Sequence, residues 1–351
     1  MVQAVESQSA AEYEAVRGGG AGLFDLSARG RVEVSGGEAV TFLNGMLTND
    51  VAKLEEGAWM HAALPNPQGR LLASVRVLRR GGAFLFDTEA ETYPAVLKHL
   101  ERFTPAGDFH VRDLTAETTL LSVQGARAPE FVGAVLGEEA ALTARGRVTR
   151  ATFGGGEVSL IRATHTAEDG FDIFVGADEV SPLRQSLLDA GARSCGVDTL
   201  EVLRVEAGVP RYGVDASDAN VVLEVVDEAE AVSYTKGCYA GQEIIARIHW
   251  RGHVAKRLAG VIFERDSEPS ADARLRDCAE GREAGRITSG VYSPRLRRRV
   301  ALAVVKYDFL APGTELKVFA DGGEVCAAHV AELPLVRGSW YAQPSGDGDS
   351  D

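Results

Sequence analysis

Cysteine is scarce in this chain. Its four cysteines, Cys195, Cys238, Cys278 and Cys326, lie far apart, with no CxxC pair and no histidine nearby at ligand spacing. That excludes a zinc or iron–sulfur site built from sequential ligands. It also argues against a disulfide scaffold in a chain of this size. The seven histidines are equally scattered, so no resident metal is expected. Positive charge is also in short supply: 37 Lys and Arg stand against 51 Asp and Glu, for a net charge of −14. An extended nucleic-acid surface needs clustered cations, so direct nucleic-acid binding is not expected, whereas a local basic pocket for a small anion remains open. No apolar run approaches a membrane span. The start, MVQAVESQSAAEYEAV, has neither a basic opening nor an apolar stretch, which reads as no secretory signal and hence a cytoplasmic protein.

What is present is the composition of an ordinary soluble globular protein, 45% apolar and 25% charged, over 351 residues. That length suits two or three domains. Residues 1–22 end in GGGAG and read as a polar lead-in helix plus a flexible loop. A phosphate-cradling loop would need a hydrophobic strand before it, and none is there. The pattern then predicts a strand at 31–35, a helix at 38–47 with Val40, Leu43 and Leu47 on one face, strands at 58–64, 70–79 and 83–87, and a helix at 93–103. A second segment repeats the order: strand 119–124, helix 129–136, a hairpin through FGGGEV, strand 171–176 and helix 181–190. Two such units predict a pseudo-duplicated α+β core of mostly antiparallel sheets. A helix at 197–206 follows. From Arg257 onward short strands broken by Gly, Asp and Pro predict an appended β-barrel. The expected boundaries are a lead-in at 1–22, a core at 23–254 (units 23–115 and 116–195, completed by 196–254), a barrel at 255–337 and a disordered acidic tail at 338–351.

One stretch stands out. KGCYAGQE, residues 236–243, places Cys238 between Gly237 and Gly241, just before an amphipathic run carrying Ile244, Ile245 and Ile248. The thiol either fills a turn or is held out for chemistry. A helix beginning here, with Lys236 alongside, would stabilise a thiolate. With LFDLSARGRVEVSGGEAVTFLNGMLTNDV (23–51), LEVLRVEAGVPRYGVD (200–215), YTKGCYAGQEIIARI (234–248) and GRITSGVYSPRLRRRVALAVV (285–305), the chain resembles YgfZ-type folate-binding proteins. These are relatives of the aminomethyltransferase (T protein) of the glycine cleavage system. The resemblance covers roughly residues 20–335. It implies a tetrahydrofolate-binding core arranged around a central hole, followed by a barrel. It also implies an accessory role in assembly or repair of iron–sulfur clusters in client enzymes, including radical enzymes that modify tRNA. The alternative is a folate-dependent aminomethyltransferase or other one-carbon transferase. Against that alternative, the resemblance puts Pro94 or a neighbour where the transferase carries a catalytic Asp, although Asp87, Glu89 and Glu91 lie close enough to supply a carboxylate under a shifted alignment.

The resemblance also implies site residues. Cys238 is the candidate reactive thiol, within the motif Lys236, Gly237, Cys238, Tyr239, Gly241, Gln242 and Glu243. Glu206 aligns with the glutamate that grips the pterin, for which an ionised carboxylate is suited because it accepts two parallel hydrogen bonds. Lys236, Tyr239, Arg247, Asn49, Asp50 and Tyr212 are the other expected folate contacts. Each has a plainer reading: Lys236 as a solvated surface cation, Tyr239 as core filler, Arg247 as the partner of Glu243 one helical turn earlier, and Glu206 as a helix-surface carboxylate. Thr48, Asn49 and Asp50 also read as a helix-terminal turn, and Tyr212, Gly213 and Asp215 as a wall-shaping loop. The arginines Arg295, Arg297, Arg298 and Arg299 read as a solvated barrel edge.

Overall fold

The computed structural model describes residues 2–265, 273–320 and 323–342. The strand and helix order follows the hydrophobic periods closely. Strand Gly30–Ser35, helix Ala39–Met46, strands Ala58–Pro65, Leu71–Arg80 and Ala83–Thr88, and helix Tyr93–Glu101 form the first unit. Its five-stranded sheet, edged by His110–Asp113, is antiparallel throughout. Val32, Val34, Val77, Phe84 and Phe86 on one face pack against Ala39, Leu43, Val96 and Leu100 of the helices. The second unit repeats this with strands Thr118–Gln124, Gly156–Arg162 and Gly170–Gly176 under helices Ala128–Leu136 and Val180–Asp189.

The two units are not cut cleanly by sequence. Strand Gly22–Asp25 precedes the first unit but pairs antiparallel with Thr118–Gln124, inside the second sheet, and parallel with the short strand Arg193–Ser194. The expected unit at 23–115 therefore loses its first residues to its neighbour. Four residues flanked by glycine carry too short a period to reveal this. Residues 1–22 differ as well. Helix Val2–Arg17 is not a loose lead-in, because Tyr13 and Val16 are buried against Phe24 and Leu203.

Helix Val197–Ala207 leads out of the second sheet and packs on the six-stranded closed barrel formed by residues 256–331. Val205 meets Val300 and Leu302 there. The chain does not become a free tail at residue 338: Ser339–Tyr341 is a short 3-10 turn. The acidic end, residues 343–351, lies outside the described residues. Among the described residues no helix is long and apolar enough to cross a membrane.

Candidate functional site

Side chains alternate across a strand, so the faces of the two sheets turned away from their helices meet each other. The contact is apolar at one level. Trp59, Leu78 and Leu85 form one register row of the first sheet and pack against Leu120, Ile161 and Phe174 of the second. Two residues along the same strands, the row becomes His61, Arg76 and Asp87. Facing it, Asp172 of strand Gly170–Gly176 is fully buried and accepts from His165 at 2.8 Å and from Arg76. Arg76 also reaches Asp87 at 2.7 Å, and Arg29 closes on the same carboxylate at 2.6 Å. Desolvation disfavours the ionised forms of Asp87 and Asp172, yet Arg29 and Arg76 for the first, and His165 and Arg76 for the second, hold both carboxyls below the ordinary range. These are pinned anions, not proton carriers.

Toward solvent the row ends differently. The His61 side chain is 44% exposed, and its ring meets Trp59 edge-on at 5.0 Å. Crowding by the surrounding protein, with the charge of Arg76, still pushes the imidazole down to about 4. Glu230 approaches it, Oε2 lying 3.8 Å from Nε2. Next after Asp87 on the inward side stands Glu89, half-buried. Its Oε2 accepts the Tyr212 backbone N–H at 2.9 Å, and burial raises its pKa despite nearby Arg29. Among the described residues its Oε1 has no partner. The buried Trp59 indole N–H likewise has no partner among the described residues.

The residues expected from sequence are distributed unevenly around this junction. Tyr212 contributes its backbone, not its ring. Asn49 is fully engaged as a clamp: its amide donates to the carbonyls of His61 and Glu230 at 2.8 and 2.9 Å, and its oxygen accepts from Asp50 N–H. Asp50 pairs with Lys53 at 3.2 Å. Glu206 is not on a ligand-facing wall. It is fully buried, with Tyr13 and Ser293 on Oε1 at 2.8 and 2.5 Å and Arg17 on Oε2 at 2.9 Å. The helix-surface alternative is equally displaced. Because the N-terminal helix folds over it, Glu206 is the hub of an internal network and has no face left for a pterin. Asp215 is likewise internal, bound by Arg204, Thr288 and Ser289.

KGCYAGQE wraps the end of helix Ala39–Met46. Lys236 is neither a surface cation nor a neighbour tuning the thiol. Its ammonium donates 2.7 Å hydrogen bonds to the carbonyls of Asn44 and Leu47 at the helix C-terminus and of Asn49 just beyond it. Burial lowers its pKa to about 8. Tyr239 is core, 7% exposed, its ring 5.1 Å from that ammonium and its hydroxyl unpartnered. Gly241 is required: its φ is +77° and a Cβ would sit 2.5 Å from the Asn66 carbonyl. Gly237 is not, since a Cβ there meets nothing within 4 Å. Helix Gln242–Arg251 starts four residues after Cys238, which weakens the expected dipole effect, though the thiol is exposed. Gln242 opens that helix, and Arg247 pairs with Glu243 at 2.6 Å, both solvated. Arg295 and Arg297 lie on the exposed turn joining strands Glu283–Ser293 and Arg298–Lys306, and Arg298 and Arg299 open the second of these.

The residues sequence reasoning missed are His61, His165, Arg76, Asp172 and Glu230. None sits in a motif. The available signal was the polar intrusion of His61 into a strand otherwise apolar on that face.

Comparison with known proteins places this geometry in a family. Residues 2–227 match the GCVT N-terminal domain, and residues 256–337 match the glycine cleavage T-protein C-terminal barrel domain. An aminomethyltransferase of Rubrobacter xylanophilus is 34% identical over 84% of this chain and 78% of its own length. One from Thermus thermophilus is 30% identical over 90% and 87%. The crystal structure of glycine cleavage system aminomethyltransferase T from Bartonella henselae superposes with a TM-score of 0.83 at 25% identity, covering 94% of this chain and 90% of that one. Tetrahydrofolate is the cofactor of aminomethyltransferases of this family, as the resemblance had implied. With both domains matched in order along nearly its whole length, the chain belongs to the glycine cleavage T-protein family.

Proposed function

We propose that the chain binds tetrahydrofolate at the rim of the inter-sheet junction and moves a folate-borne one-carbon unit, as an aminomethyltransferase-type enzyme. The observation that carries this reading is Glu89, a carboxyl with raised proton affinity, one oxygen fixed by a backbone N–H and the other free. The residues suit a reduced folate. The flat His61 ring and the solvent-reaching carboxylate of Glu230, an acceptor, match a planar heterocycle rich in N–H donors. When bound, the folate supplies the nitrogen that carries the one-carbon unit. Burial raises the proton affinity of Glu89, and the ionised Asp87 beside it adds to that, which suits this second carboxyl to proton transfer at a departing amine. The test is conversion of an aminomethyl-lipoyl carrier plus tetrahydrofolate to methylenetetrahydrofolate, ammonia and the free carrier thiol. Glu89→Gln should lower the rate by about 10²-fold with folate affinity retained. A wild-type chain that binds folate without turnover overturns the enzymatic part.

A second reading has its own observation. Cys238 is exposed within a motif that matches the YgfZ-type string, on a chain whose Asp87 and Asp172 are both pinned. It makes the protein a folate-dependent accessory factor for iron–sulfur client enzymes. Loss of client activity in cells carrying Cys238→Ser, with the purified variant still binding folate, supports it; full rescue by that variant removes it.

A further inference from the structure

The chain continues past the end of the matched barrel domain at residue 337 and returns to the sheets. Val336 N–H donates to the Glu206 carbonyl at 3.0 Å. Ser339 donates twice to Glu168, from its backbone at 2.7 Å and its hydroxyl at 2.6 Å, and that hydroxyl accepts from Asp169 N–H at 2.9 Å. Trp340 N–H donates to the Ala167 carbonyl at 3.2 Å. Glu168 is in turn held by Arg17 at 2.9 Å. Contact is close enough that any side chain at Gly338 would collide with Glu168.

These anchors set the Trp340 indole on the guanidinium of Arg145, 3.7 Å from ring centroid to carbon, and Arg145 also donates to the Trp340 carbonyl. Arg145 belongs to the segment that meets the junction, since the next residue, Gly146, accepts from the Trp59 backbone N–H at 2.9 Å. Its charge is felt by Glu230, whose charge in turn acts on Tyr341. The polar anchors are fully bonded, whereas the rings are not enclosed: Trp340 is partly exposed and Tyr341 is 47% exposed. These anchors thus hold Trp340 against Arg145, whose neighbour Gly146 bonds the Trp59 backbone, with Tyr341 next to it and exposed, at a place where the core gains little from either ring.

We infer that residues 336–341 form a strap completing the ligand site, in which Trp340 and Tyr341 wall the rim and position the flat rings of a reduced folate. This rests on the folate reading above. A ring clamped by an arginine is pre-organised, so stacking on it costs little additional order.

The test is titration of the full chain with tetrahydrofolate, followed by calorimetry and tryptophan fluorescence. Wild type should bind with quenched emission. Trp340→Ala and Tyr341→Ala should each weaken binding by up to about tenfold, the range of an aromatic stacking contact. Trp340→Phe, which keeps a flat face, should retain most of the affinity while losing most of the quench. If Trp340→Ala proves unfolded, Tyr341→Ala and Trp340→Phe decide the matter. Wild-type affinity in Tyr341→Ala, together with an undiminished quench in Trp340→Phe, overturns the strap. Absence of any binding by wild type overturns the folate reading itself, and the strap with it.

Discussion

Asp87 and Glu206 are both fully buried carboxylates, both end secondary-structure elements near a domain junction, and both are held by arginines. They teach opposite lessons about where chemistry can occur. Around Glu206 the N-terminal helix brings Tyr13 and Arg17 and the barrel brings Ser293, so both carboxylate oxygens are bonded within the protein. Around Asp87 only two sheets converge. Arg29 and Arg76 neutralise the carboxylate, but the register row runs on to a solvent-reaching His61 and the chain runs on to a half-free Glu89. A network closed on all sides is architecture. The same kind of network left open on one side prepares its neighbours.

The strongest way to break this comparison is to remove the shared cation at the junction. Arg76→Ala leaves Asp87 and Asp172 under-paired inside the protein, and should cost about 4 kcal/mol in urea-unfolding free energy. A loss below about 1 kcal/mol would mean that the junction is hydrated. Next comes the closed network. Glu206→Ala strands the buried Arg17 and Tyr13, though Glu168 retains one contact to Arg17, so a loss of about 3 kcal/mol is expected. Folate affinity should survive in that variant. Abolished binding with unchanged stability would restore the pterin-gripping role and reverse the contrast drawn here.

The pH dependence sharpens the open side. The folded pKa of His61 lies near 4, below the ~6.5 of an unfolded histidine. Between those values the unfolded chain takes up a proton that the folded chain refuses, so stability falls as pH drops from 6.5 toward 4. His61→Gln should flatten that part of a urea-midpoint profile. Asp87 and Asp172, with depressed folded pKa values, contribute stability that is present above ~3.9 and lost at more acid pH, so their loss is separable. The smallest effect is expected at Arg247. Arg247→Ala removes an exposed ion pair with Glu243 and should change stability by less than about 0.5 kcal/mol. A large drop in folate affinity would instead return Arg247 to the ligand site.

The sequence by itself determined the longer elements, the barrel and the family-level fold. Hydrophobic period is a local property, and residues such as Val40, Leu43 and Leu47, or Val96 and Leu100, declare a helix face without reference to anything distant. It also marked KGCYAGQE as a constrained loop, since Gly241 must adopt a positive φ wherever that turn forms. Only tertiary structure decided which residues became the site. Lys236 read as a pocket cation until a helix end 190 residues earlier claimed all three of its protons, the most remote acceptor being Asn44 at a separation of 192. Glu206 read as a ligand residue until Tyr13 and Arg17 arrived from the N-terminal helix. His61, Arg76, Asp87 and Asp172 carry no common motif because strand register and the meeting of two sheets bring them together. Electrostatic partners act over ångströms in space, and sequence separation places no limit on them.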